Sequence, residues 1–462
     1  MLRQFLIAVP LALALSAVTA APSAAQRATL DRIMHVGTLG NGMQVIVVEN
    51  HSIPIATAEI VFRAGAMTQD EEDQGVPHLF EHMLFRSYRG DMGEPFAVDA
   101  ANAQAAYNGG TSDEDVMYYM TLPSSHTDDA LDILARLVRD PQFENSDFQR
   151  ERFVVMDEFQ SDASNPQFHL NREASIRLWG NGYARKNAIG DKERLLAVTM
   201  PQLRTIFDRY YVPNNAALIV TGDVSAQKVF EMARNHFGGW PRRPDPFATH
   251  PVAAMPALDS SRAVVITAHV TTTTVEVDWQ GPSVPDDPRG TYAADVLADI
   301  VNDPHSAFHA RLVDSGLFQA AALGYTTRSH VGPITFYGVT TPDKLASALT
   351  ALTSEFDYMD SPDYFAPATI AAAAKRHAVA SVFQLEDAHD LALAMGETWA
   401  SGGVDYFVNF SDNILATTAT DLHAYVERYI LHKPFVIAVL VPPDRATPTS
   451  TLLQEYLDMS HQ

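Results

Sequence analysis

His78-Leu79-Phe80-Glu81-His82 is the most informative run of residues in this sequence. Residues four positions apart share one face of a helix, so the imidazoles of His78 and His82 can bind a single zinc ion. Glu81 lies three positions after His78 and borders the same face, where its carboxylate can take a proton from a water molecule at the metal. The run therefore predicts a catalytic zinc site built on a helix.

The residues around this run predict a partly buried helix. Gly75 and Pro77 mark its start, because proline is well tolerated in the first turn of a helix. The other residues through Phe85 are apolar, so a polar triplet among them needs partners once it is buried. Zinc would be one partner, and the order His-x-x-Glu-His is that of the inverted zincins. The alternative is a pair of surface histidines with a capping or paired glutamate.

A catalytic zinc site also needs a third protein ligand and an open position for water. The next long helix, which Ser146 or Asp147 can cap, carries Glu151 and Glu158. These acids are seven positions apart and therefore lie two turns apart on one face. The alternative is that both acids pair with Arg150 or Arg152 and do not contact a metal.

The composition restricts both the metal site and the partners. The 462 residues include no cysteine, which excludes disulfides and thiolate metal sites and leaves nitrogen and oxygen as ligand atoms. The formal net charge is -24, so nucleic acid is not an expected partner, since phosphate binding needs a basic surface. Solubility is the simplest reason for the charge, and an acidic cavity that favours cationic peptides is the alternative.

The N-terminus has the pattern of a signal peptide, assigned to residues 1–25. Arg3 supplies the positive charge, and an apolar segment runs from Phe5 to Ala17. Small residues follow and offer cleavage after Ala20 or after Ala25. An uncleaved membrane anchor is the alternative, but the apolar segment is short. The chain is therefore expected to be exported, with no membrane span after cleavage.

Strand-like and helix-like segments alternate along the chain, which indicates mixed α and β structure. The proline-rich segment 241–256 is predicted to be a linker between domains at residues 28–240 and 257–462. Strands are predicted at 45–48, 56–62, 116–122, 216–220, 263–268, 273–279, 334–339 and 435–441. Helices are predicted from Gly75 to Phe85, at 128–138, 147–159, 225–237, 291–301 and 307–315, and as one long region at 367–400.

The chain resembles the M16 (pitrilysin and insulinase) family of zinc peptidases, in its short two-domain form. Glu158 follows His82 at the distance of that family's glutamate ligand, and Glu151 matches a further acid one heptad earlier. Several other segments match in order along most of the chain: Gly65 to Arg86, Asn108-Gly109-Gly110-Thr111-Ser112 with Tyr118-Tyr119, Ala188-Ile189-Gly190, Tyr210 to Asn215, Val220 to Asp223, and Ser306 to Leu317.

The resemblance implies an α+β fold of two similar domains, each a mostly antiparallel sheet with helices packed on one face. It also implies an endopeptidase with one Zn²⁺ per chain, bound by His78, His82 and Glu158. Glu81 would be the general base, and Glu151 would orient a ligand. The strand that contains Asn108, Gly109 and Gly110 would bind an extended peptide by strand addition. The resemblance to the family, together with the signal peptide, implies that the chain is located in the periplasm.

One departure from the family pattern concerns the second domain. Active members carry an Arg and a Tyr there that help to bind the substrate, and the matching positions here are Val313 and Gln319. Arg311, Tyr325 and Arg328 are near but do not fit the spacing. A companion M16 subunit would supply the two residues, in a heterodimer rather than a homodimer. The alternatives are a non-catalytic, peptide-binding subunit and an exported metal-binding protein.

Overall fold

The chain forms two β-sheets. The computed structural model describes residues 29–460, so the predicted signal peptide lies outside the described residues. The first sheet contains β1 (Met34–Thr38), β2 (Gln44–Glu49), β3 (Ile55–Phe62), β4 (Ala106–Thr111), β5 (Val116–Pro123) and β6 (Ala216–Gly222). The second contains β7 (Arg262–Thr267), β8 (Thr273–Gln280), β9 (Ala320–Tyr325), β10 (Pro333–Thr340) and β11 (Val436–Val441).

Helices connect these strands. In the N-terminal half they are α1 (Val76–Ser87), α2 (Phe96–Asn102), α3 (Thr127–Arg139), α4 (Asn145–Ala163), α5 (Pro166–Trp179), α6 (Lys192–Ala197), α7 (Met200–Tyr210), α8 (Ala226–Phe237) and α9 (Pro246–Thr249). In the C-terminal half they are α10 (Pro288–Val301), α11 (Ala307–His309), α12 (Leu345–Tyr358), α13 (Pro367–Gln384), α14 (Ala388–Ser401), α15 (Gly403–Ala416), α16 (Ala419–Tyr429) and α17 (Ala446–Ser460). Among residues 29–460, no helix is both long and apolar enough to cross a membrane.

The two sheets repeat one topology. The first has the strand order β1-β2-β6-β3-β5-β4, and the second has β7-β11-β8-β10-β9. Without β1, both orders begin with one parallel pair and continue with three antiparallel pairs. The expected α+β fold of two similar, mostly antiparallel units is therefore confirmed.

Both faces of the first sheet are buried, which explains its continuous apolar strands. On β2, Val45 and Val47 face the main core of the N-terminal half, while Ile46 and Val48 face the opposite side. The edge hairpin differs, because β5 alternates buried and half-buried residues along its length. Its alternation is the pattern of a strand with only one face in the core.

Each sheet is covered on its outer face by a helix from the other half of the chain. Helix α14 packs on β3 and β6, and its Met395 and Trp399 join the apolar cluster there. Helix α5 packs on β8 and β11 in the same manner. Gly396 allows the close approach of α14, because a Cβ at this position would collide with the carboxyl of Glu59. Each sheet therefore has the expected helices on one face and, in addition, a helix from the other half of the chain on the opposite face.

Two predicted helices differ in detail. The long helical region at 367–400 is two helices, because α13 ends at Gln384 and Asp387 caps the start of α14. The Asp387 side chain accepts hydrogen bonds from the backbone of His389 and Asp390, a local signal that apolar periodicity does not reveal. The helix predicted at 307–315 continues from α11 as a π-helical segment at Ala310–Asp314.

Glu59 on β3 leads to a prediction about stability. Its side chain is fully buried, and neither carboxylate oxygen has a hydrogen-bond partner among the described residues. Burial, reinforced by the charge of Asp115, raises the pKa of Glu59 well above its usual value. Folding then takes up a proton, so the free energy of unfolding falls as the pH rises above about 4. We expect Glu59→Gln to raise this free energy by more than about 1 kcal/mol at pH 8, with a smaller gain near pH 4.

Urea unfolding at both pH values measures this difference. Glu72→Gln, which changes an exposed loop residue, is the matched control and should leave unfolding unchanged. An equal gain for Glu59→Gln at pH 4 and pH 8 would contradict the protonation argument.

Candidate metal centre

Helix α1 carries the predicted zinc residues on the face that turns away from the core. The helix begins after Gly75, whose φ of 82° is a left-handed conformation that glycine adopts without strain. Leu79, Phe80, Met83 and Leu84 are fully buried in the core of the N-terminal half. These apolar contacts fix the rotation of the helix and point its polar triplet towards α4 and β4.

The structure brings His78, His82 and Glu158 together. Oε2 of Glu158 lies 3.6 Å from Nε2 of His78 and 3.5 Å from Nε2 of His82. The two imidazole rings are nearly perpendicular, with centroids 4.9 Å apart. One ligand atom from each residue lies within 4.8 Å of the others, and within residues 29–460 this is the one such group of His, Asp and Glu side chains.

These distances fit a shared metal ion better than direct hydrogen bonds. A nitrogen–oxygen hydrogen bond is about 2.9 Å long, and both histidine–carboxylate distances are longer. Tetrahedral zinc places two of its nitrogen or oxygen ligands roughly 3.3–3.6 Å apart. Two imidazoles and one carboxylate also form a ligand set found in catalytic zinc sites. The residues present therefore fit zinc.

The protonation of His78 suits a metal ligand. Burial and the neighbouring ring of His82 lower the pKa of His78 to about 4. A neutral imidazole keeps a lone pair for a metal, whereas an imidazolium does not.

Glu81 stands beside the three grouped residues, on the same helix. Its side chain is buried, and burial raises its pKa to about 7. The hydrogen bond from Oγ1 of Thr111, at 3.4 Å, opposes this rise, while the charge of Glu158 adds to it. A carboxyl with a pKa near neutrality can both accept and release a proton under physiological conditions.

Glu151 lies behind His82. Its Oε2 is 3.7 Å from Nδ1 of His82, the ring nitrogen that faces away from Glu158. Its Oε1 accepts a hydrogen bond of 2.7 Å from Nε of Arg86, and the Glu151 side chain is almost completely buried. A carboxylate near the outer nitrogen of a histidine can orient the ring, but 3.7 Å is longer than a hydrogen bond, so the orienting role of Glu151 stays a prediction.

Strand β4 forms one wall of the same cleft. It is the edge strand of the first sheet, and it contains Asn108, Gly109 and Gly110. The cleft has a volume of about 750 Å³, and these residues line it together with His78, His82, Glu81, Glu151 and Glu158. A Cβ on Gly109 would contact Oε1 of Glu81, so glycine there permits the strand to lie close to this carboxyl.

The three residues near the expected Arg and Tyr positions have other partners. Arg311 forms an ion pair with Glu355, and the hydroxyl of Tyr325 donates to the carbonyl of Pro282. Arg328 forms an ion pair with Asp113. None of the three lines the cleft that contains His78 and Glu158.

Thr111 and Arg86 contact the site, although the motif and its spacing gave neither residue a role. Thr111 donates to Glu81, and Arg86 holds Glu151. Arg86 follows His82 by four positions, so helical spacing could have placed it next to Glu151. Thr111 lies on another strand, and no local spacing connects it to Glu81.

Two family models match the chain and together cover more than half of it. The model described as "Insulinase (Peptidase family M16)" matches residues 44–188. The model described as "Peptidase M16 inactive domain" matches residues 197–366.

Curated relatives have low identity to this chain. The mitochondrial-processing peptidase subunit beta of Lentinula edodes is 25% identical over 56% of this chain and 57% of its own length. The zinc protease PqqE of Helicobacter pylori is 24% identical over 50% of this chain and 52% of its own. The alignments therefore span about half the length of these two relatives.

Solved structures show the same fold. A protease from Helicobacter pylori superposes with a TM-score of 0.81 at 19% identity and covers 88% of this chain and 99% of its own. The periplasmic protease PqqL from Escherichia coli has a TM-score of 0.75 at 16% identity, covering 92% of this chain and 50% of its own. At such identities the likeness concerns the fold alone.

Proposed function

This chain belongs to peptidase family M16, and on that premise we propose that it is a zinc-dependent endopeptidase that hydrolyses peptides or unfolded segments. The observation that carries the proposal is the convergence of His78, His82 and Glu158 beside the buried carboxyl of Glu81. Several relatives are named as zinc proteases, which supports zinc-dependent peptide hydrolysis.

The proposed mechanism assigns one role to each residue. His78, His82 and Glu158 would hold one zinc ion per chain, and Glu151 would orient His82. Bound zinc supplies a water of lowered pKa and polarises the scissile carbonyl. Glu81 takes a proton from the attacking water and returns it to the leaving amine, a transfer for which its raised pKa suits it.

Substrate recognition would use β4. An extended peptide can add to this edge as a further strand and form main-chain hydrogen bonds along Asn108, Gly109 and Gly110. Main-chain recognition does not depend on side chains, so it permits a broad range of peptide sequences. The close approach of β4 to Glu81 at Gly109 would place the bound backbone near the proton-transferring carboxyl.

Further proposals concern organisation and location. Residues 28–240 and 257–462 would be the two M16 domains, joined by the segment 241–256. The strands of the first sheet all precede this segment, and those of the second sheet all follow it. Export to the periplasm would follow from the N-terminal residues 1–25, and one structural neighbour is described as periplasmic.

The active site would be completed by a companion M16 subunit. By the resemblance to the family, Val313 and Gln319 match the positions where active members carry an Arg and a Tyr. The Arg and Tyr residues closest in sequence are Arg311, Tyr325 and Arg328, and each has another partner outside the cleft. We therefore favour a heterodimer in which the companion supplies both groups, over a homodimer of two such chains.

The same observation favours a second candidate function, a non-catalytic or peptide-binding subunit of an M16 complex. Such a subunit would bind an extended peptide along β4 without hydrolysing it. The intact set of His78, Glu81, His82 and Glu158 argues for the catalytic role.

The test uses the purified mature chain, alone and mixed with a companion of similar length that carries the Arg and the Tyr. We expect about one zinc per chain. Cleavage of an unfolded test peptide should be weak alone and strong in the mixture, and it should be lost with a chelator and restored by zinc.

Each part of the proposal can fail separately in this experiment. A chain without zinc, or cleavage that resists the chelator, contradicts the proposed dependence on zinc. Full activity from the chain as a monomer refutes the need for a companion. Zinc binding and peptide binding without cleavage in any mixture would favour the non-catalytic subunit.

A further inference from the structure

The turn between β4 and β5 carries three consecutive acids, Asp113, Glu114 and Asp115, and none of them is exposed. Buried carboxylates are costly without partners, so such a turn on its own would be unstable. The C-terminal half supplies most of the partners. They lie in the turn at 326–332 between β9 and β10, the hairpin that is topologically equivalent to β4–β5 in the second sheet.

Asp113 is held by two cations from different halves of the chain. Nζ of Lys186 lies 2.8 Å from Oδ2, and Nε of Arg328 lies 2.5 Å from Oδ1. Burial alone would raise the pKa of Asp113, but the two cations lower it below its usual value. The carboxylate is therefore charged, and both ion pairs are largely shielded from water. Arg328 also contacts Glu397 on α14 at 3.1 Å.

Glu114 receives the backbone of the same opposing turn. Its Oε2 accepts a hydrogen bond of 2.7 Å from the amide of Ser329, and its Oε1 accepts one of 2.9 Å from the amide of His330. Hydrogen bonds to a charged acceptor are stronger than neutral ones. Together with Arg328, they join the two hairpin turns at three points.

The contacts between the two hairpin turns lie close to the cleft, because Asp113 is two positions after Thr111, which lines the cleft. Thr111, the last residue of β4, donates to Glu81, and Gly109 lies so close to the same carboxyl that a Cβ there would meet it. Strand β4 pairs only with β5 in the first sheet, so its other edge has no partner strand among the described residues. An edge strand with one neighbour tends to open locally unless its ends are held. The turn held by Arg328 is one of these ends.

We propose that Arg328, with the backbone of Ser329 and His330, positions the substrate-pairing strand β4 by holding Asp113 and Glu114. The C-terminal half thereby prepares the peptide-binding edge of the N-terminal half within one chain. Arg328 acts through the turn and does not touch the reacting atoms, so it is a positioning residue. The inference rests on the proposed function in one respect, namely that β4 binds the peptide.

The test compares Arg328→Ala with Arg311→Ala in the full chain. Arg311 is the matched control, because its ion pair with Glu355 lies within the C-terminal half. We expect hydrogen exchange of the β4 amides at 106–111 to accelerate about tenfold in Arg328→Ala and to stay unchanged in Arg311→Ala. For peptide cleavage, KM should rise about three- to tenfold with a smaller change in kcat, and zinc content should not change.

Two further variants distinguish the proposed effect on β4 from general unfolding of the chain. Arg328→Lys keeps the charge and should restore part of the protection, while Glu114→Gln weakens the other two contacts and should accelerate exchange as well. Equal β4 exchange in Arg328→Ala and Arg311→Ala would overturn the proposal. If the wild-type chain cleaves no peptide either alone or with a companion subunit, the proposed function fails, and the exchange of β4 alone still decides whether Arg328 holds this strand.

Discussion

Glu81→Gln is expected to lower kcat for peptide hydrolysis by about 10²–10⁴-fold while zinc stays bound. The amide has nearly the same shape as the carboxyl, so the hydrogen bond with Thr111 can persist and the side chain still fits beside Gly109. It cannot accept and return a proton at neutral pH, however. His78, His82 and Glu158 are unchanged, so the metal content should be that of the wild-type chain.

Metal analysis and steady-state kinetics on the same preparation measure this effect. Glu193→Gln on α6 is the matched control, because this residue is exposed and lies outside the cleft. It should retain both zinc and activity. If Glu81→Gln binds zinc and cleaves at the wild-type rate, Glu81 is not the general base.

Glu158→Gln is expected to weaken zinc binding by at least about 100-fold and to abolish cleavage. Loss of a carboxylate that only supports a ligand costs up to about 100-fold in affinity, and loss of a direct ligand should cost more. Oε2 of Glu158 lies at nearly equal distances from both histidines, so this one anionic atom completes the set. A neutral amide oxygen at its place removes the only negative charge among the three proposed ligands.

A competition titration with a zinc chelator measures the affinity, and thermal unfolding with and without zinc gives an independent readout. The control is Asp162→Asn, an exposed position one turn further along α4, which should bind zinc normally. Unchanged affinity in Glu158→Gln would remove this residue from the proposed ligand set. Glu151, behind His82, would then be the next candidate for the third ligand.

The sequence was sufficient to predict the helices and strands that have a clear local pattern of apolar residues. The apolar positions of α1 follow the helical period, those of β5 alternate, and β2 is a short continuous apolar run; the structure places these elements where the patterns predict them. The helical break after α13 was not predicted, because the cap at Asp387 is a single residue within a continuous helical pattern. The likeness of the two domains was predicted only through the family resemblance, since strand order depends on backbone pairing and no local pattern encodes it.

By itself, the sequence determined the candidate chemistry of this protein. Spacing on a single helix puts His78, Glu81 and His82 on one face, because a helix fixes the direction of its side chains. Only the tertiary structure decided what meets that face. The packing of α4 against α1 brings Glu158 within 3.6 Å of His78, and the packing of β4 against α1 brings Thr111 within hydrogen-bond distance of Glu81. Contacts between the two halves, such as Asp113 with Arg328, depend on a separation of more than 200 residues that no local pattern encodes.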